Sequence, residues 1–190
     1  MHALADPLIT RHRLSVEDYY RMAEAGILHA DDRVELIEGE IIDMPPIGSW
    51  HAGTISRLVQ RFVQSAGENA IVSVQNPVRL DRYSEPQPDI ALLRPREDYY
   101  TRGHPGPEDV LLIVEVAQSS LAYDLQVKVP LYARHAIPEV WVLDAESGSV
   151  HICRSPGEGT YREVQIQTGP CVLSPLLLPQ ISLELPLLTP

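Results

Sequence analysis

Glu115 interrupts a run otherwise built for burial, VLLIV-E-V over residues 110–116. An ionised carboxylate there is costly unless a cation or hydrogen bonds meet it. Asp89 follows a proline in Gln87-Pro88-Asp89-Ile90 and opens a second apolar segment. If the two segments are antiparallel neighbours, the start of one lies beside the end of the other, and the two carboxylates converge. Like charges that close require a proton or a metal between them. Hard divalent ions such as Mg²⁺ or Mn²⁺ take carboxylate and water oxygens, which leaves positions for a phosphate and a nucleophilic water. A third residue stands out by composition: of fifteen basic residues only Lys128 is lysine, the rest being arginine. An ammonium is a compact charge with an adjustable pKa, whereas guanidinium is planar and always charged. Each residue also has an ordinary explanation. Glu115 can be a strand-end glutamate bonded to backbone or arginine, Asp89 a turn residue after proline, and Lys128 half of a surface helix pair with Asp124.

The elements that must position these groups are legible around them. Residues 15–25 predict a helix capped by Ser15 and stopped by Gly26. Residues 34–44 predict a hairpin turning at Glu38-Gly39 and ended by Pro45-Pro46. Residues 49–66 predict a helix whose buried stripe is Ile55, Leu58, Val59, Phe62 and Val63, closed by Gly67. Extended segments follow over 70–80, 88–93 and 110–116, the last reading as a central strand covered on both faces. Residues 121–135 predict a helix kinked or restarted at Pro130, then a strand over 139–144. An outer hairpin, 150–155 with 161–166, and a proline-broken apolar tail close the chain. Together they predict an α/β (α+β) fold with a mixed central sheet flanked by helices.

Composition bounds the reading. The chain has 190 residues, 44% hydrophobic and 22% charged, which predicts one globular domain: a core about 34–144, a lead-in over 1–13, and the outer hairpin and tail over 150–190. No apolar run is long enough to span a bilayer, and MHALADPLITRHRL lacks the basic start and apolar stretch of a signal peptide. Cys153 and Cys171 lack metal-ligand spacing and are expected as free thiols of a cytoplasmic protein. A net charge of −11 argues against coating nucleic acid through the overall field, but not against a local acidic metal site. The apolar tail predicts packing against the body or against a second copy, hence a homo-oligomer, with a dimer expected.

The ordered set VELIEGEIIDMPP, His51, QPDIAL, IVEVAQSS and YDLQVKVPLYARHAIPEVWVLD, with the tail, resembles the Uma-two family within the PD-(D/E)XK, restriction-endonuclease-like superfamily. The resemblance runs from about residue 12 to the end. It implies a Mg²⁺- or Mn²⁺-dependent endonuclease that hydrolyses nucleic acid, DNA before RNA. Asp89 and Glu115 then hold the metal with Glu35 as a further ligand, Lys128 is catalytic, and His51 contacts phosphate or assists the base. The superfamily's lysine stands two residues after the glutamate, where this chain has Ala117; the resemblance implies that it has migrated to Lys128. Gln118, Asp124 and Tyr132 are placed by spacing alone to support the acids. The alternative is an inactive binding or scaffold protein that keeps the fold.

Overall fold

The computed structural model of the chain describes residues 10–29 and 31–185; most of the expected lead-in and the last five residues of the tail lie outside them. Helix α1, Val16–Glu24, begins as expected at Ser15, whose side chain and that of Asp18 cap each other's backbone N–H groups. Strands β1 (Val34–Ile37) and β2 (Glu40–Asp43) form a separate antiparallel hairpin. Its turn residues Glu38 and Gly39 both have positive φ, 50° and 85°, as a two-residue type I′ turn requires.

Helix α2, Ser49–Ala66, then crosses to the central sheet. The six strands of that sheet are β3 (Ile71–Val74), β4 (Ile90–Leu93), β5 (Val110–Ala117), β6 (Glu139–Asp144), β7 (Val150–Pro156) and β8 (Tyr161–Gln167), in that spatial order. Among the described residues only β5 and β6 of this sheet run parallel. Every residue of β5 is buried, Glu115 included, as its unbroken apolar run predicted for a strand covered on both faces. Ile55, Leu58 and Phe62 of α2 pack on one face, beside Trp141 and Ile152. Leu131, Tyr132 and Ala133 pack on the other, beside Ile113 and Val140. Removing a Leu or Phe side chain from water is worth ~1.5–3 kcal/mol, so these layers anchor the sheet that carries the acids.

Two expectations change, and two gain detail. The segment 70–80 is a strand only over Ile71–Val74, because Gln75 takes a left-handed conformation, φ 50°, and turns the chain out of the sheet. Val63 is 55% exposed, and Thr54 and Ala66 take buried positions on α2 instead. The helix after β5 is not uniform: α3 (Leu121–Tyr123), a π-helical turn (Asp124–Lys128) and α4 (Val129–Arg134) follow one another. Pro130 explains the irregularity, since it has no N–H to give Gln126 and its ring crowds that carbonyl. The tail folds back mainly on its own chain. β9 (Cys171–Leu173) pairs with β10 (Leu183–Leu185), and Leu178 and Ile181 between them are buried in the core.

Candidate active site

The register of β4 on β5, Ile90 opposite Val114, carries Asp89 and Glu115 to the same end of the sheet. Asp89 donates its backbone N–H to Glu115 Oε2 at 3.3 Å, and Val116 donates its own to Asp89 Oδ2 at 2.8 Å. The Asp89 side chain thus extends the strand ladder by one bond. Its other oxygen meets His51 Nε2 at 3.0 Å, from the first turn of α2, and Gln75 Nε2 at 3.3 Å. Burial works to raise the Asp89 carboxyl, but the His51 contact and the Val116 N–H hold it below the usual range. The same contact raises the His51 imidazole.

Glu115 is 2% exposed. Its Oε1 accepts from the Tyr132 hydroxyl at 2.7 Å and from Lys128 Nζ at 3.2 Å. Burial pushes its carboxyl up to about 8; Lys128 opposes the rise, and Asp124 and Asp89 add to it. Glu35 projects from the hairpin at 1% exposure. It accepts from the Gln87 backbone N–H at 3.0 Å and the Tyr123 hydroxyl at 3.2 Å, and Lys128 Nζ lies 3.3 Å from its Oε2. The Lys128 ammonium therefore bridges two acids from separate elements. Burial acts to strip its proton, but Glu115, Glu35, Asp124 and Asp89 outweigh that and keep it charged.

Lys128 is thus no surface partner of Asp124. Both are buried at opposite ends of the π-helical turn, and the Asp124 carboxylate accepts from the Ser120 hydroxyl at 2.6 Å. Gln118 lies exposed at the pocket rim, and Tyr132 stands fully buried behind Glu115. Asp89, Glu115, Lys128, Glu35 and His51 all line one pocket of about 380 Å³, together with residues 44–48. Tyr123, Gln75 and Gln87 were not singled out from sequence. Gln87 sits in the QPD motif and was in view; Tyr123 and Gln75 owe their places to a π-helical turn and a left-handed residue, which leave no periodic signal.

The donor set suits a hard divalent ion in kind. Glu35, Asp89, Glu115 and Asp124 offer carboxylate oxygens, and Lys128, His51 and Arg33 line the same pocket. A protonated Glu115 is what burial enforces where positive charge falls short. In the arrangement present, no three His, Cys, Asp or Glu side chains among the described residues are set to hold an ion together.

A family profile described as "Uma2: Putative restriction endonuclease" matches residues 16–187. A solved structure described as "a putative nuclease belonging to DUF820", from Anabaena variabilis, is similar over 90% of this chain and 94% of its own, with 16% identity and a TM-score of 0.67. That likeness supports the fold. No curated protein matches the chain. Among the described residues no helix is long and apolar enough to cross a membrane.

Proposed function

This chain belongs to the Uma2 family, and we propose that it is a divalent-metal-dependent endonuclease that hydrolyses phosphodiester bonds of nucleic acid, DNA in the first place. The observation that carries the reading is the convergence of Glu35 from β1, Asp89 just before β4, Glu115 from β5 and Lys128 from the π-helical turn on one pocket. Asp89, Glu115 and Glu35 would hold Mg²⁺ or Mn²⁺. An ion held there supplies a polarised water and a charge that offsets the phosphate. Tyr132 fixes the Glu115 carboxylate from behind, and His51 and Gln75 fix that of Asp89. Lys128 is the group that orients a water or offsets charge developing on the phosphate, buried enough for its one charge to count. Free Cys153 and Cys171 suit a reducing cytoplasm. Two copies acting together, one pocket per strand, belong to the same proposal.

The rival reading is a binding protein that keeps the fold. Ala117 at the usual lysine position and the net charge of −11 favour it. A cleavage assay with Mg²⁺ or Mn²⁺ on single- and double-stranded DNA and on RNA decides between them. Wild type is expected to cut and Asp89→Ala to be silent. Lys128→Arg is expected to lose ~2.7–4 kcal/mol of transition-state stabilisation, roughly a hundred- to a thousandfold in rate, as for other positioned charges. No cleavage of any substrate with either ion would leave the binding reading.

A further inference from the structure

Lys128 Nζ lies 3.3 Å from Glu35 Oε2 and 3.2 Å from Glu115 Oε1, and its side chain is 7% exposed. A divalent ion shared by those two carboxylates needs the space the ammonium fills. Two cations cannot lie together there without strong repulsion in so buried a setting. While the ammonium bridges the acids, no trio of ligands among the described residues is set around a common point. A second landing place is close at hand. Asp124 lines the same pocket, is 4% exposed, and makes no ion pair among the described residues, its side chain accepting only from Ser120.

We infer that Lys128 is a resident cation that ties Glu35 to Glu115 in the metal-free protein, and that a divalent ion displaces it toward Asp124. The inference rests on the metal-dependent reading above. It makes ion binding an exchange of partners rather than the filling of a finished cage. The lysine opposes the ion for Glu35 and Glu115, yet remains in the pocket to face the substrate. It also gives Asp124, a buried acid that acts on Lys128 without a contact ion pair among the described residues, a role in the loaded state.

Because Lys128 is the only lysine of the chain, the full-length protein grown with ¹⁵Nζ,¹³Cε-lysine shows a single side-chain signal. Titrating Mg²⁺ should move that signal. Reductive methylation of the ε-amine, suppressed without the ion, should rise with it. By calorimetry Lys128→Met should bind Mg²⁺ more tightly, by about five- to a hundredfold as in ordinary site-to-site coupling, and Asp124→Asn more weakly. A rise in Tm with Mg²⁺ while the lysine signal stays fixed would overturn the exchange and leave the nuclease reading standing. No response of Tm or lysine to Mg²⁺ or Mn²⁺ would remove both. If Lys128→Met fails to fold, the labelled wild-type protein alone gives the answer.

Discussion

Glu115 shows how one position can be read from sequence and still hold a surprise. Its type was conspicuous because an acid inside an eight-residue buried strand must have partners. The partners, Lys128 and Tyr132, come from one later segment, and the rarity of lysine already marked the first of them. The titration was only partly legible: burial, its main cause, follows from the apolar run, but the opposing Lys128 and the added Asp124 and Asp89 depend on the tertiary fold. With its folded pKa pushed up to about 8 from an ordinary 4.5, Glu115 binds a proton in the folded state that the unfolded chain has already lost. The folded state therefore holds more protons between those values, so this stabilising contribution is present below about 4.5 and drains away as pH rises through about 8. Melting of the metal-free protein from pH 5 to 9 should show Tm falling across that window. Glu115→Gln, neutral throughout, should flatten the fall, and an equal slope in both proteins would show that the proton sits elsewhere.

At the scale of elements, the acidic pocket depends on backbone conformations that sequence displays unevenly. The type I′ turn at Glu38-Gly39 was legible, because Gly supplies positive φ at no steric cost between two apolar runs. The π-helical turn was not, because a single added residue leaves the apolar period on either side nearly intact. Hairpin β1–β2 carries Glu35, so its turn is open to test. Gly39 has φ 85°, and a Cβ there would meet the Arg13 Cβ at 2.6 Å; Gly26 has φ 71° with nothing within 4 Å. Gly39→Ala is expected to lower unfolding stability by about 1–3 kcal/mol, the range for strained backbone, and to weaken divalent-ion binding by shifting Glu35. Gly26→Ala suffers the conformational strain without the overlap and should lose less, with ion binding intact. Chemical denaturation of the two variants beside wild type gives the comparison; equal losses would show that the approach of Arg13 adds nothing.

Over the whole molecule, the tail takes the first of the two places its composition allowed, the body of its own chain. Leu173, Leu178, Ile181 and Leu183 are buried there, while Val172, Leu176 and Leu177 stay exposed. The tail is held down by Glu139, fully buried on β6, which accepts from Trp141, from Arg154 and from the backbone N–H of Leu176. Nothing in the tail's composition announces that clamp, because Glu139 lies far from it in sequence. What remains for a partner is narrower. Among the described residues the central sheet ends at β8, which pairs with β7 alone, and Val164 and Ile166 on that strand are each 57% exposed. An edge strand with apolar side chains and unpaired backbone groups is a template for another strand. A two-fold pairing of β8 with β8 would join two central sheets and give one assembly two pockets, which suits an enzyme that cuts both strands of a duplex. Light scattering at micromolar concentration is therefore expected to give twice the 21.2 kDa chain mass. Val164→Lys combined with Ile166→Lys, which leaves the acidic pocket untouched, should give a single chain that still binds the divalent ion. A wild-type protein that runs as a single chain under those conditions would move β8 out of any interface and make each pocket work alone.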